Sequence, residues 1–155
     1  ENSDRWNRMC VTFVWSEFKN MLPEERFRRL LTHIPERFAA ERLNGFVWLE
    51  LADDESVDDF LKLPRSEDIA SRESEIYRGL VKVGFFDSLR GAMKPSPAKA
   101  CKNDFSQTAK VLSAAGKNAV KSVDAKLLFI RHGAYCDCQV VDTIEGELAK
   151  ENAGK

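Results

Sequence analysis

The chain has 155 residues, 43% of them hydrophobic and 32% charged, with a net charge of −1 at pH 7. This length predicts a single globular domain, residues 1–155, with a core large enough to fold without disulfides. The near-neutral balance argues against binding to nucleic acid or a membrane surface through charge alone, and no apolar run approaches the roughly 20 residues of a membrane span. The N-terminus lacks the apolar core of a signal peptide and the cysteines suggest no disulfide framework, so we expect a cytoplasmic protein.

The first 51 residues predict two helices and one or two strands. Residues 11–18 are apolar and aromatic, and they fit either a short strand or the start of a helix. Pro23 and Pro35 each stand at the predicted start of a helix, where the missing N–H of proline costs nothing. Residues 46–51 combine aromatic and aliphatic side chains in the alternation of a strand.

Residues 53–93 predict helices that are separated by proline and glycine. Asp53 or Asp54 is expected to cap a short helix that ends before Pro64. Ser66 is expected to cap a longer helix. Gly84 breaks that helix, and one or two further helical turns follow it.

The Lys-Pro-Ser-Pro segment at 94–97 is the clearest linker in the chain. It divides the predicted domain into two sub-modules, a helical part at 10–93 and a cysteine-containing part at 98–145. In the second part we expect helices at about 104–116 and 122–133, then a strand that carries Cys136 and Cys138, and a frayed C-terminus. Together these elements predict an α+β fold, mostly helical, with two or three short strands in a small sheet.

Three of the four cysteines, Cys101, Cys136 and Cys138, lie in the C-terminal third of the chain. A Cys-X-Cys pair on a strand points both thiols to one face, so Cys101 from a nearby loop would bring three thiols together. Three thiolates with one nitrogen or oxygen form a workable zinc shell, and His132 or Asp104 is the nearest candidate for the fourth ligand. Two alternatives stay open: the cysteines are small buried hydrophobes, or Cys136 or Cys138 is a redox-active nucleophile.

The segment from Cys101 to about Thr143 resembles a bacterial family, domain of unknown function 2695 (DUF2695). The family pattern has a first cysteine followed by Asp-His-Thr, then a helix with a central threonine and a second helix. It closes with Gly-Gly-Tyr/Phe-Cys-Asp-Cys-Glu-Val-Leu. The chain has Lys-Asn-Asp-Phe after Cys101, then Thr108, and Gly-Ala-Tyr-Cys-Asp-Cys-Gln-Val-Val at 133–141.

Asn103, Ala134 and Gln139 are among the positions that depart from the family pattern. Asn103 stands where the family has its histidine. If the family's cysteines and histidine form a metal site, the resemblance implies that the histidine ligand is absent here. The family supplies no activity, and the resemblance does not extend to residues 1–95.

The chain has no phosphate-binding Gly-rich loop, no Gly-X-Ser-X-Gly elbow and no His-Glu-X-X-His motif. Its charge is uneven: residues 50–76 hold ten acidic and three basic side chains, and residues 90–126 hold eight basic and two acidic ones. These features favour a non-enzymatic binding or interaction module with a protein partner. Zinc binding and thiol redox chemistry are the alternative functions, and the oligomeric state is left open.

Overall fold

The computed structural model of the chain describes residues 9–35, 46–94, 96–116 and 119–153. Its contacts fall into two compact units, unit 1 (Glu1–Arg65) and unit 2 (Ser66–Lys155). Within the described residues helices predominate and two strands form one small sheet, which confirms the predicted α+β class. The linker at 94–97 lies within unit 2, and the sub-modules 10–93 and 98–145 stay a prediction.

Unit 1 contains the sheet. Strands β1 (Met9–Val14) and β2 (Phe46–Leu51) pair in parallel, with Met9 opposite Phe46 and Val14 opposite Leu51. Parallel strands need a crossover connection, and part of it is a 3-10 turn (Ser16–Phe18) followed by helix α1 (Pro23–Leu31). The strand predicted at 46–51 and the helix start at Pro23 are therefore confirmed. The helix predicted from Pro35 lies outside the described residues.

A buried arginine holds unit 1 together. Arg26 of α1 is only 2% exposed. Its Nη1 donates a hydrogen bond to the Glu50 carbonyl oxygen at 2.6 Å, and its Nε donates to the Met21 carbonyl oxygen at 3.0 Å. Its Nη2 donates to Glu55 Oε1 at 3.0 Å, and Nη1 also pairs with the same carboxylate. Because these bonds join the helix to β2 and to the turn after it, Arg26 fixes where the helix lies on the sheet.

Helix α2 (Val57–Leu61) begins slightly later than expected, because its cap is Ser56 rather than Asp53 or Asp54. Ser56 is its cap: the Asp59 N–H donates to Ser56 Oγ at 3.2 Å, and the Ser56 N–H donates to the Asp59 carboxylate at 3.4 Å. The prediction that Asp53 or Asp54 caps this helix is wrong, since Asp54 instead pairs with Lys19. The helix does end before Pro64, as predicted.

Unit 2 is helical. A 3-10 segment (Ser66–Arg72) replaces the first turns of the helix predicted from Ser66 and leads into α3 (Glu73–Lys82). Gly84 follows with φ +64° and starts α4 (Phe85–Ala92), which confirms the predicted break. The remaining helices before residue 132 are α5 (Pro97–Ala100), α6 (Ser106–Ala114) and α7 (Ser122–Arg131).

The core of unit 2 is aromatic and joins both sides of the 94–97 linker. Phe129 of α7 stacks on Phe85 with ring centroids 5.7 Å apart and lies 6.1 Å from Phe105. All three rings are buried, so α4, the start of α6 and α7 share one core. In the described part of the chain, no helix combines the length and apolarity needed to cross a membrane.

The C-terminal segment is a helix, so the strand predicted for Cys136 and Cys138 is wrong. Helix α8 (Asp137–Gln139) continues through a π-helical stretch (Val140–Ile144) into α9 (Glu145–Asn152). Val140, Ile144 and Leu148 are buried at intervals of four residues, which is helical rather than strand periodicity. Leu148 is 1% exposed, so the fraying predicted for the last ten residues is also wrong as far as Asn152.

Candidate metal centre

The three cysteines of the C-terminal third lie together on one side of unit 2. Cys101 follows α5 directly, and Cys136 and Cys138 flank the first residue of α8. All three Sγ atoms lie within 4.8 Å of one another, and the Sγ atoms of Cys136 and Cys138 are 2.9 Å apart. None of the three is in a disulfide. The thiols therefore converge, although on a helix start rather than on a strand.

The start of α8 explains how Cys136 and Cys138 reach the same point. Cys136 precedes the helix in an extended conformation, with φ −158° and ψ 162°. Cys138 lies in the first helical turn. The Gln139 side chain folds back and accepts a hydrogen bond from the Tyr135 N–H at 2.7 Å, which holds the chain as it enters the helix. In a strand, alternation of side chains would bring both thiols to one face. Here the turn into the helix brings them to the same side instead.

Asp137, between the two cysteines, anchors this turn to α6. The residue is 2% exposed, and its carboxylate accepts hydrogen bonds from the Gln107 N–H at 2.7 Å and the Thr108 N–H at 2.9 Å. The Thr108 hydroxyl donates a third bond at 2.6 Å. These donors belong to the first turn of α6, where backbone N–H groups have no partner within the helix. Asp137 is therefore a cap for α6 that comes from a distant part of the chain.

The loop that carries Cys101 is tied to the same residue. The Asp137 N–H donates to the Asp104 carbonyl oxygen at 2.9 Å. Within the loop, Asn103 has φ +56°, a left-handed conformation that asparagine tolerates better than most residues. Its N–H donates to Cys101 Sγ at 3.3 Å, and the Cys101 thiol lies 3.7 Å from Asn103 Oδ1. The Asp137 bonds and the Asn103 turn together fix Cys101 beside the cysteine pair.

The three thiols differ in acidity. Burial raises the pKa of the Cys136 thiol, and burial together with the neighbouring Cys136 and Cys101 thiols raises the pKa of Cys138. Burial also opposes ionisation of Cys101. Hydrogen bonds from the Cys138 thiol and the Asn103 N–H nevertheless leave its pKa below the ordinary value of 9.0. The directions of these pKa shifts favour Cys101 as the most acidic of the three thiols. A redox-active nucleophile at Cys136 or Cys138 stays a prediction.

The fourth ligand proposed from the sequence is not in this cluster. The three thiols form a group of potential metal ligands, and no other described His, Cys, Asp or Glu side chain belongs to that group. His132 lies instead between two acids, with Nε2 3.8 Å from Glu73 Oε2 and Nδ1 3.9 Å from Glu151 Oε1. The Asp104 carboxylate accepts from the Ser106 N–H at 3.0 Å, at the start of α6.

The supporting roles of Asp137, Thr108 and Asn103 in this site were not predicted from the sequence. An acidic residue between two cysteines and a threonine near a helix start were visible signals. Asp and Thr commonly accept or donate bonds at helix starts, but here the cap and its helix are about 30 residues apart. A cap at such a distance has no local sequence signature.

No protein-family model matches the chain, and comparisons with curated proteins and with solved structures found no significant match. The resemblance of residues 101–143 to DUF2695 therefore stays a prediction.

Proposed function

We propose that the protein binds a thiophilic metal ion, with zinc as the first candidate, through Cys101, Cys136 and Cys138. The observation that carries this proposal is the mutual approach of the three Sγ atoms within 4.8 Å. Thiolate sulfur is a preferred ligand for zinc and for other soft ions. Packing of cysteines as small hydrophobic residues does not require three thiols from two separate segments to meet at one point.

The surroundings of the thiols support ion binding. Cys136 is 6% exposed, while Cys101 and Cys138 are half-buried, so the cluster is anchored on one side and open to solvent on the other. The Asn103 N–H already donates to Cys101 Sγ, and such a bond also stabilises a thiolate that is bound to a metal. Free thiols suit a reducing compartment, and we propose the bacterial cytoplasm as the location.

The proposal is tested by zinc titration of the reduced full-length chain against a chromophoric chelator. We expect one zinc per chain, and loss of that binding in each of the three variants Cys101→Ser, Cys136→Ser and Cys138→Ser. Cys10→Ser is the matched control, because it removes the fourth thiol of the chain from unit 1.

Thermal melts test whether the ion also stabilises unit 2. An ion that binds only the folded state, at a free concentration 100 times its dissociation constant, adds about 2.7 kcal/mol to the free energy of unfolding. The melting temperature of the helices should therefore rise with zinc and fall with chelator. Zinc binding that survives in all three cysteine variants, or that is lost equally in Cys10→Ser, would reject the three-thiol site.

The interaction module predicted from charge also stays a proposal, and it is compatible with a metal centre. The basic segment 90–126 includes exposed Lys94, Lys102 and Lys110, which would face an acidic protein partner. Replacing these three lysines by glutamine should abolish the capture of such a partner in a pull-down. Capture that is unchanged in the triple variant would exclude the basic segment as the contact.

A thiol redox function is the second candidate, and the lowered pKa of Cys101 favours it. A Cys101 thiolate would attack a substrate disulfide, form a mixed disulfide and release one substrate thiolate. The thiolate of Cys136 or Cys138 would then attack the Cys101 sulfur, which forms an intramolecular disulfide and releases the second substrate thiolate. Alkylation by iodoacetamide across pH 5–10, followed by peptide mass analysis, measures this reactivity. The redox role requires that Cys101 is alkylated before the other two thiols and at a pH well below the ordinary pKa of a thiol. Uniformly slow alkylation of all three thiols would exclude the redox role.

A further inference from the structure

The number of protein ligands in the cluster determines which kind of ion the cluster binds best. We infer that Cys101, Cys136 and Cys138 form a receptor for a three-coordinate thiophilic centre, represented by trivalent arsenic, in preference to a four-coordinate ion such as zinc. This inference rests on the proposed metal binding and narrows it to a chemical class.

The first argument is that the described part of unit 2 offers the three thiols no fourth His, Cys, Asp or Glu ligand. No other described His, Cys, Asp or Glu side chain joins the three thiols. The His132 ring lies between Glu73 and Glu151. Asp104 uses one carboxylate oxygen for the Ser106 N–H and its carbonyl oxygen for the Asp137 N–H. Neither candidate fourth ligand therefore belongs to the three-thiol group.

The second argument is the geometry that each ion prefers. A structural zinc site is almost always closed by four protein ligands, and three thiolates alone leave one position to solvent. Trivalent arsenic forms three bonds, and a lone pair occupies its fourth direction. Three converging thiols with one open side therefore satisfy arsenic completely and zinc incompletely.

The exchange also balances without an oxidant or a reductant. Arsenous acid, As(OH)₃, reacts with three thiols to give one As(S-Cys)₃ centre and three waters. Three As–O bonds break and three As–S bonds form, while each thiol proton leaves on a hydroxide. Arsenic stays trivalent and every sulfur stays at the thiol level.

Position 103 allows the ligand number to be changed by one substitution. Asn103 Oδ1 lies 3.7 Å from the Cys101 thiol, and the residue is exposed with φ +56°. Histidine is, like asparagine, enriched in the left-handed region, so Asn103→His fits the same backbone. Its imidazole would then stand beside the thiols as a fourth ligand. Asn103→Gly is the matched control, because it keeps the backbone conformation and adds no ligand.

The experiment titrates the reduced full-length protein with sodium arsenite and with zinc, in the wild type and in both position-103 variants. Native mass spectrometry counts the bound ion, and iodoacetamide counts the thiols left free. We expect the wild type to gain one arsenic and lose three hydrogens, with Cys101, Cys136 and Cys138 all protected. Asn103→His should tighten zinc binding by more than about tenfold, the lower end of what outer-shell partners alone contribute. Asn103→Gly should not tighten it.

Each other outcome counts against the inference. Zinc that binds while arsenite leaves one of the three thiols alkylatable would overturn the three-coordinate receptor and leave the proposed metal function standing. Loss of wild-type zinc binding in His132→Gln would show a fourth protein ligand and would have the same consequence. Binding of neither ion by a folded, reduced sample would overturn both proposals.

Discussion

Removing the Asp137 carboxylate should destabilise unit 2 and loosen the cysteine cluster together. The carboxylate is buried and accepts three hydrogen bonds, two from backbone N–H groups of α6 and one from the Thr108 hydroxyl. Asp137→Ala leaves all three donors without this acceptor. Asp137→Asn keeps the shape of the side chain, but its amide nitrogen replaces one carboxylate oxygen and cannot accept the hydrogen bond from the donor that faces it.

The size of each effect follows from the number of donors left without a partner. A buried donor without a partner costs about 1–3 kcal/mol, so Asp137→Ala should cost about 3 kcal/mol or more. Burial raises the pKa of the Asp137 carboxyl, against the hydrogen bonds from Thr108 and Gln107, so the charge itself carries a desolvation cost. Asp137→Asn removes that cost along with one bond, and we expect a loss of about 1–2 kcal/mol.

A double-mutant cycle with Thr108→Val isolates one of the three bonds. Alone, Thr108→Val should cost about 1 kcal/mol, because it removes the hydroxyl that donates to Asp137. In the Asp137→Ala background that hydroxyl has already lost this acceptor, and the same substitution should cost nothing or stabilise the fold. The two substitutions should therefore show a coupling of about 1 kcal/mol or more.

The assay is urea unfolding under reducing conditions with chelator, followed by circular dichroism at 222 nm. All three tryptophans, Trp6, Trp15 and Trp48, belong to unit 1, so fluorescence recorded in parallel reports on that unit separately. Asp142→Ala is the matched control, since Asp142 is an exposed acid in the same C-terminal helix and should change stability by less than about 0.5 kcal/mol. A cost for Asp137→Ala no larger than that of the control would refute the capping role.

Two further predictions concern the packing of each unit. In unit 1, hydrogen bonding to Arg26 lowers the pKa of Glu55 below its ordinary 4.5, so this pair stabilises the fold above about pH 4.5 and the contribution is lost as pH falls through the lowered pKa. Glu55→Gln should cost about 2 kcal/mol at pH 7 and should remove this acid-dependent component, as read by tryptophan fluorescence; an unchanged pH profile would contradict it. In unit 2, a Cβ on Gly79 would lie 2.6 Å from Val120 Cγ2, whereas nothing lies within 4 Å of one on Gly91. Gly79→Ala should therefore destabilise by about 1–3 kcal/mol and Gly91→Ala should stabilise by about 0.5–1 kcal/mol, and equal urea midpoints for the two variants would refute this packing.

The elements that the sequence predicted correctly have strong local signals. Proline at position 23 starts α1, an aromatic and aliphatic run forms β2, and Gly84 separates α3 from α4. The parallel pairing of β1 with β2 joins residues more than 30 positions apart, and no local pattern encodes it. The C-terminal helix was missed because the Cys-X-Cys pair was interpreted as strand alternation. The competing signal was the spacing of Val140, Ile144 and Leu148.

The candidate site was predictable in its cysteines but not in its supporting residues. Spacing and cysteine count alone singled out Cys101, Cys136 and Cys138, and the structure brings them together. His132 is close to Cys136 in sequence, yet the end of α7 directs it to Glu73 and Glu151. The role of Asp137 depends on α6 lying beside the start of α8, a tertiary relation that no short motif specifies.

The most direct test of the three-thiol centre is elemental analysis of the untagged protein purified without chelator, beside the Cys136→Ser/Cys138→Ser double variant. We predict close to one thiophilic ion per wild-type chain after reconstitution under reducing conditions, and none in the folded double variant. Equal ion content in the two proteins, or no ion in a fully reduced wild type, would contradict the assignment of Cys101, Cys136 and Cys138 as a metal centre.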